Sequence, residues 1–257
     1  MKKLIVSMVV VLGITAVNAA VVSDGSIFSD AFNGTALDTS KWTEYEPVGA
    51  HQFVEVNGGK LTLESRFTEL DKIIKSSGFN IGSATEWAVE MKFSVLTDMV
   101  PGGTPISTSN RQSILIGGAT VASNSTRDFA ISLLEGSAAD KFTLGWGADI
   151  LSPISAVVLS PAATDLLRNT DYTLVIHHRS DNEIDFYLDG VNIATRGSLS
   201  LDKAESLFIG DWSGSTALRM TADYVKVGNP IPEPITLSLL GLGSLIVLRS
   251  RRAKTSI

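Results

Sequence analysis

The chain has 257 residues, of which 44% are hydrophobic and 19% are charged, enough for one sizeable domain with its own core. It has no cysteine, which excludes disulfides, thiolate catalysis and cysteine-ligated metal centres. Of 21 basic and 27 acidic residues, six basic and one acidic lie in the terminal signals described below, which leaves the region between them a net charge of about −11. Nucleic acid and anionic lipid repel such a domain, so nucleic-acid binding is excluded.

The N-terminus has the pattern of a secretory signal peptide. Lys2 and Lys3 form a positive start, residues 4–17 are apolar, and small residues stand at the −3 and −1 positions of a cut after Ala19. This order predicts a signal peptide over residues 1–19, which signal peptidase removes. A retained membrane anchor is the alternative, but the apolar run is short for a bilayer span.

The region 20–228 has the pattern of β-strands throughout. The stretch FVEVNGGKLTLES alternates on each side of Asn57-Gly58-Gly59, which is typical of a hairpin. About a dozen short runs are separated by Gly, Asn, Asp or Ser clusters, and only residues 160–171 suggest one helical turn. Many short strands without a fixed repeat predict an all-β fold, a two-sheet antiparallel sandwich or jelly roll.

The stretch EIDFYLDG, Glu183 to Gly190, predicts a strand that runs into a turn. Its apolar residues alternate and face the core, while the acids and Tyr187 take the other face. Asp189-Gly190 supplies a two-residue turn, after which VNIAT returns as the partner strand. The predicted core-facing residues are Ile184, Phe186 and Leu188.

The C-terminal region 229–257 begins with a proline-rich break and continues as an apolar run over residues 235–248. The run approaches the length of a bilayer span, and the basic residues after it should stay cytoplasmic. We therefore predict a transmembrane segment that anchors the exported region to the inner membrane. A buried core helix is the alternative, which the prolines and the basic end disfavour. The residues that define the signal are Pro232, Glu233, Pro234, Arg249, Arg251 and Arg252.

This order of triplet, apolar helix and arginine-rich end resembles the PEP-CTERM sorting signal of Gram-negative bacteria. The resemblance covers about the last 27 residues. It implies recognition near the triplet by an exosortase-type membrane protease, followed by release or transfer to the cell envelope, the outer surface or the extracellular matrix. It also implies exopolysaccharide as a partner.

Three stretches of the region between the signals resemble concanavalin A-like jelly rolls. FSDAFNGTALDTSKW (28–42) is similar to their opening, YTLVIHHRSDNEIDFYLDGVNIA (172–194) to their central hairpin, and TADYVKV (221–227) to their closing strand. Family 16 glycoside hydrolases and laminin-G-like domains share these features. The resemblance implies the concanavalin A-like fold but no single function.

The acidic pair in EIDFYLDG suggests a glycosidase site, but it matches only part of the sequence pattern that such a site requires. Family 16 enzymes carry their carboxylates as Glu-x-Asp-x-Glu, or with one further residue before the last Glu, and retaining glycosidases need two carboxyl groups about 5–5.5 Å apart. Glu183 and Asp185 match the first two letters, but Tyr187 and Leu188 stand where the third acid is needed. Asp189 is near 20 Å from Glu183 at about 3.3 Å per residue. We therefore predict that the chain is not an enzyme.

Two further groups of ionisable residues have spacings that suggest a site. Glu86 and Glu90 have the i, i+4 spacing of a family 16 dyad, but Ala88 stands between them where an Asp is required. We expect both glutamates to face solvent on an alternating strand. His177 and His178 are adjacent, so on a strand they face opposite ways and cannot bind one metal together.

Calcium and sugar sites remain as candidates. The jelly-roll resemblance places Asp30 and Asp223 where such folds often hold one Ca²⁺ between the first and last strands, and hard oxygen ligands suit that ion. Capping of a turn by Asp223, or its pairing with Lys226, is the alternative. Aromatic faces beside polar edges suit sugars. The sugar-binding candidates are Trp146, Trp212 and Tyr187, and closure of the core ends is the alternative for the two tryptophans.

Together these features predict an exported, non-catalytic jelly roll that contacts polysaccharide or a surface protein in the cell envelope. A divergent glycan hydrolase or lyase with a displaced site is the alternative from the enzyme class. A purely structural surface protein is the third hypothesis.

Overall fold

A computed structural model describes residues 21–45, 53–65, 72–79, 81, 86–96, 113–119, 127–135, 138, 140–147, 157–159, 165–197, 206–211 and 218–232. All of them belong to one compact unit that spans Ala20–Glu233. Within these ranges every regular element is a strand and none is a helix, which confirms the all-β prediction. The described part of the suggested helical turn at 160–171 contains a short strand instead.

Eighteen strands are described. In chain order they are β1 (Val21–Ser23), β2 (Phe28–Asp30), β3 (Trp42–Tyr45), β4 (Phe53–Asn57), β5 (Lys60–Ser65), β6 (Lys72–Ser76), β7 (Trp87–Val95), β8 (Ser113–Ala119), β9 (Arg127–Glu135), β10 (Lys141–Gly147), β11 (Val157–Val158), β12 (Leu166–Leu167), β13 (Asp171–His178), β14 (Ile184–Leu188), β15 (Val191–Arg196), β16 (Ser206–Asp211), β17 (Leu218–Gly228) and β18 (Pro230–Pro232).

The strands form two antiparallel sheets and one short ribbon. The front sheet has the order β15-β14-β13-β7-β17-β5-β4, with β2 also paired to β17. The back sheet has the order β11-β10-β9-β8-β16-β6-β3, with β12 also paired to β10. The terminal ribbon consists of β1 and β18. Long connections between strands that are distant in sequence give this architecture its jelly-roll character, as predicted.

The hydrophobic core lies between the two sheets and follows the alternation of the sequence. On β7 every second residue from Trp87 to Phe93 faces inward. On β14 the predicted residues Ile184, Phe186 and Leu188 face inward. Trp42 anchors the core near the opening segment, where its ring meets Phe28 edge-on at 5.3 Å. Burying each such side chain contributes about 1.5–3 kcal/mol. The inward residues of β7 are Trp87, Val89, Met91 and Phe93, each 1% exposed.

Two predicted hairpin turns are confirmed. Asn57 pairs with Lys60, which leaves Gly58 and Gly59 as turn residues with φ values of 60° and 79°. On the second hairpin, Asp189 and Gly190 have φ values of 48° and 77°. Two successive positive φ values define a turn that matches the twist of a hairpin, which explains the glycines.

The terminal ribbon extends the folded unit beyond residue 228, where the predicted domain ends. Val21 pairs with Pro232 and Ser23 pairs with Pro230. Proline has no N–H to donate, so it suits an edge strand such as β18. Residues that the sequence assigned to the sorting signal therefore form part of the folded domain.

Candidate functional site

The acids of the 183–190 hairpin are held in a structural ion-pair cluster. One guanidinium, that of Arg179, lies 3.0 Å from Glu183 and 2.6 Å from Asp181, and its third acidic neighbour is Asp185 at 3.8 Å. Asp185 also accepts a hydrogen bond from the Thr195 hydroxyl. These contacts give Glu183 and Asp185 a structural role, because both carboxylates bind side chains of their own hairpin.

The outer face of the front sheet, turned away from the core, carries Glu86, Ala88 and Glu90 along β7 and the residue before it. Glu86 Oε1 accepts a hydrogen bond from His177 Nε2 at 2.9 Å. Glu90 is 3% exposed, so the expectation that it faces solvent is wrong. Local alternation identified the face correctly but could not show that another strand covers it.

Glu90 is buried because the terminal ribbon lies over it. The Ser23 N–H donates to Glu90 Oε2 at 2.9 Å, and the Tyr224 hydroxyl donates to Oε1 at 2.7 Å. The ammonium of Lys226 lies 3.4 Å from the same oxygen. Burial and the neighbouring Glu90 carboxylate raise the pKa of Tyr224, because both disfavour a phenolate. The carboxylate is thus satisfied by three protein groups, one from β1 and two from β17.

A second, small hydrophobic cluster seals the ribbon against the sheet. It consists of Val21 from β1, Ala88 from β7, Val175 from β13 and Tyr187 from β14. Tyr187 is 2% exposed, and burial raises its pKa. Its ring is therefore a packing element beneath the ribbon and offers no open face to a sugar, which corrects the prediction of a binding role.

The two tryptophan candidates have different outcomes. Trp146 alternates with Phe142 and Leu144 on β10, is 5% exposed, and packs against Phe186 with ring centroids 4.8 Å apart. A sugar cannot stack on a ring that is already in the core, so the binding prediction for Trp146 is corrected as well. Trp212 lies outside the described residues.

The histidines occupy opposite faces of β13, as predicted. His177 faces Glu86, whereas the His178 ring stacks on Trp87 at 5.2 Å with an interplanar angle of 5°. Among the residues that the structure describes, no group of three or more His, Asp or Glu side chains is arranged to hold a metal.

The two calcium candidates do not fit that ion. Asp30 accepts hydrogen bonds from the Phe32 N–H at 2.9 Å and the Trp42 indole N–H at 2.7 Å. Asp223 lies between two ammonium groups, Lys60 at 3.0 Å and Lys92 at 2.7 Å. A divalent cation there would meet two fixed positive charges.

The ionisation of Asp223 is consistent with lysine pairing. Burial acts to raise its pKa, but the hydrogen bonds from Lys92 and Lys60 outweigh burial and hold the pKa below its ordinary value. Reciprocally, Asp223 raises the pKa of Lys92. Pairing with lysine, the alternative to calcium, is therefore present, although the partners are Lys60 and Lys92 instead of Lys226.

A cavity of about 540 Å³ opens beside the segment between β2 and β3. Its mouth carries donors and acceptors: Ser29, Asn33 and Asp38 are exposed, and Lys41 is half-buried. Lys41 donates to the Ser29 carbonyl at 2.9 Å, which fixes one wall. The buried Phe32 and Val56 line the inner part.

Sequence reasoning did not single out this cavity. The available signal was the cluster of turn-forming residues in NGTALDTS, which places polar side chains between the apolar residues Phe28 and Trp42. Asp38 is fixed by the Ser40 hydroxyl and N–H at 2.6 and 3.0 Å, and these bonds lower its pKa. The carboxylate is therefore ionised and oriented at neutral pH.

Comparison with known proteins identifies the C-terminal signal. Residues 230–252 match the family model described as the PEP-CTERM protein-sorting motif. The match confirms the predicted sorting signal. It implies that the protein is exported and sorted from a membrane-anchored form by exosortase-type machinery. No curated protein matches the sequence.

The charged and apolar parts of the signal, including Glu233, Pro234, Arg249, Arg251, Arg252 and the predicted span 235–248, lie outside the described residues. Among the residues that are described, no helix is long and apolar enough to cross a bilayer.

Solved structures of jelly-roll proteins share the fold. β-Agarase A from Zobellia galactanivorans is 15% identical with a TM-score of 0.53, covering 83% of this chain and 93% of the agarase. β-Agarase B from the same organism is 13% identical with a TM-score of 0.50, covering 83% and 96%. The cellulose-induced protein Cip1 is 13% identical with a TM-score of 0.53, covering 78% and 96%. At these identities the likeness shows the fold, which confirms the concanavalin A-like jelly roll.

The comparison also corrects one prediction. The conclusion that the chain is not an enzyme rested on the incomplete triad at Glu183 and Asp185. Structural neighbours over most of the chain are glycan-degrading enzymes, namely agarases, which contradicts that conclusion. The physical reason is that a missing acid on one hairpin excludes one site, whereas a jelly roll has two sheet faces and many loops.

Proposed function

We propose that the jelly roll recognises a polysaccharide at the cell envelope, to which the sorting signal delivers it. The carrying observation is that the fold is shared over 82% of the chain with β-agarase A, which has been solved in complex with oligoagarose. Sorting of the exported protein to the envelope would place such a domain beside exopolysaccharide. A surface protein is the other partner that this location offers.

The cavity beside the β2–β3 segment supplies the recognition surface for sugars. Sugar hydroxyls both donate and accept hydrogen bonds, and the mouth offers the Asn33 amide, the Asp38 carboxylate and the Lys41 ammonium. A volume of 540 Å³ lies in the range of small-molecule sites. Fixed neighbours hold Asp38 and Lys41, so little side-chain entropy is lost on binding.

Charge narrows the class of polysaccharide. The exported region has a net charge of about −11, so a polyuronate or sulfated chain would be repelled. We therefore propose a neutral polysaccharide, such as a galactan or glucan, as the ligand.

A glycan array probed with the protein recovered from producing cells tests this proposal. Neutral oligosaccharides should bind, and Asn33→Ala should raise the Kd about five- to tenfold, because one hydrogen bond is worth roughly 1 kcal/mol. Ser180→Ala, an exposed change on the β13–β14 turn, is the matched control. Absence of binding to every glycan would overturn the proposal. If Asn33→Ala bound with the same Kd as the parent protein, the cavity would not be the binding site.

A further inference from the structure

The sorting motif and the folded domain overlap. The matched motif begins at residue 230, and its first three residues are β18, which pairs in antiparallel register with β1. The middle pair of the ribbon is Val22 and Ile231. The motif therefore starts with strand β18. The partner strand β1 lies at the N-terminus of the chain that remains after the predicted cut following Ala19.

A set of polar contacts fixes the chain just before β18. Asp24 accepts hydrogen bonds from the Asn229 N–H at 2.8 Å and from the Asn229 side-chain amide at 3.0 Å. In return the Asp24 N–H donates to the Asn229 carbonyl at 3.1 Å. The same carboxylate holds the Ser26 N–H and hydroxyl at 2.9 and 2.7 Å. Several hydrogen bonds thus hold Asn229, the residue before β18, against the N-terminal segment.

The partner strand β1 is itself anchored to the front sheet. Ser23 is 3% exposed and donates its N–H to the buried Glu90. Val21 packs with Ala88, Val175 and Tyr187. Loss of β18 would remove the strand that pairs with Val21–Ser23 and would weaken the cover over this face.

A protease binds its substrate as an extended chain whose backbone groups are free to pair with the enzyme. Residues 230–232 do not meet this condition while they pair with β1. We propose that sorting cleavage falls C-terminal to Pro232, so that β18 remains in the mature protein and keeps the terminal ribbon closed. The inference rests on the exosortase-type processing that the motif implies, and it does not depend on polysaccharide binding.

The covalent step breaks one peptide bond beyond Pro232. The carbonyl carbon of that bond is attacked by water or by the amine of an acceptor molecule, which loses a proton, and the departing nitrogen gains a proton. The N-terminal product keeps residues 230–232, and the C-terminal product carries the basic end into the membrane fraction.

Mass spectrometry of the C-terminal peptide, after expression of the full chain in a host with an exosortase-type enzyme, locates the cut. We expect the mature chain to end at Pro232 or a later residue before 257, with or without an added acceptor. A C-terminus at Ile231 or earlier, which would break β18, would overturn the proposal. A chain that still ends at Ile257 would show that no sorting cleavage occurs and would overturn the premise of the proposal. This outcome is independent of the glycan array, which tests polysaccharide binding.

A disulfide lock tests whether cleavage needs the ribbon to open. The chain has no cysteine, so Val22→Cys with Ile231→Cys introduces a single pair at register partners. Antiparallel partners have Cα atoms about 4.5–5.5 Å apart, which suits a disulfide, and the exported side of the membrane is oxidising. The oxidised variant should be processed at the same position and at an unchanged rate. Loss of processing that reductant restores would show that β18 must leave β1, which contradicts the proposal.

Each single variant, Val22→Cys or Ile231→Cys, is the matched control, because it changes one side chain without the cross-link. Ile231 is 44% exposed and Val22 is partly exposed, so neither change disturbs the core. A single variant that is processed normally assigns any defect of the double variant to the cross-link.

Discussion

The Asp24 carboxylate fills the space that a side chain at Gly228 would need. A Cβ added at position 228 would lie 2.0 Å from Asp24 Oδ1, 2.6 Å from the Ser26 nitrogen and 2.8 Å from the Gly25 nitrogen. Two of these three neighbours are backbone atoms and cannot move alone. The close approach of the N-terminal segment to β17 therefore requires glycine at this position.

Gly228→Ala should destabilise the domain by about 1–3 kcal/mol or more, because overpacking forces the backbone apart. Thermal unfolding of the full chain in detergent measures the effect. Gly197→Ala is the matched control, since an added Cβ there meets nothing within 4 Å. Equal melting temperatures for the two variants would contradict the packing of the Asp24 segment on β17.

Asp24 should make stability depend on acidity. The Ser26 hydroxyl and N–H, with a smaller contribution from Asn229, lower the pKa of Asp24 from 3.8 to about 2 against the opposing effect of burial. Because the folded-state pKa is the lower one, the contribution of Asp24 is complete above about pH 4 and is lost as the pH falls towards 2.

Denaturant unfolding between pH 2 and 5 measures this slope. Asp24→Asn removes the titrating group, so the variant should lose less stability across this interval than the parent protein. Parallel curves for the two proteins would show that the carboxylate does not hold the ribbon.

Calcium should not bind at Asp223 and should leave the stability of the protein unchanged. Lys60 and Lys92 already neutralise that carboxylate, so added Ca²⁺ or a chelator should shift the melting temperature by less than about 1 °C. A rise of several degrees in the melting temperature with Ca²⁺ would mean that the ion displaces the lysines.

Replacing both Lys60 and Lys92 by Met should lower the stability by about 1–3 kcal/mol, because it leaves the partly buried Asp223 carboxylate without its partners.

Tyr187 should act on stability and not on glycan affinity. Tyr187→Ala removes a ring that is 2% exposed beneath the terminal ribbon and should cost about 3 kcal/mol or more. Tyr187→Phe keeps the ring and removes the hydrogen bond of the hydroxyl with the Asn192 side chain, so it should cost about 1 kcal/mol. Denaturant melts compare the stabilities, and a glycan titration compares the affinities. A large loss of affinity in the stably folded Phe variant would restore the sugar-binding role.

Local patterns predicted the parts of the fold that local physics decides. Alternation placed Phe186 in the core and Tyr187 on the opposite face, and Asp189-Gly190 marked its turn. The same rule applied to β10 would have placed Trp146 inward, because it continues the series of Phe142 and Leu144. Trp146 was instead offered as a sugar-binding residue, and its burial in the core corrects that interpretation.

Alternation says which face of a sheet a residue takes, but not whether another segment covers that face. Glu90 and Tyr187 were expected on an open surface, and the terminal ribbon buries both. The ribbon joins Val21 to Pro232, which are far apart in sequence, and its pairing strands are only three residues long. Such a short contact leaves no periodic signal, so the cover over Glu90 and Tyr187 could not be derived from the sequence.

Affinity electrophoresis of the processed protein in native gels that contain polysaccharide tests the central claim most directly. A neutral galactan or glucan in the gel should slow the protein in proportion to its concentration, whereas a polyuronate should not. Unchanged mobility in every neutral polysaccharide, or retardation by the polyuronate alone, would contradict the proposal that this exported jelly roll recognises neutral polysaccharide at the cell envelope.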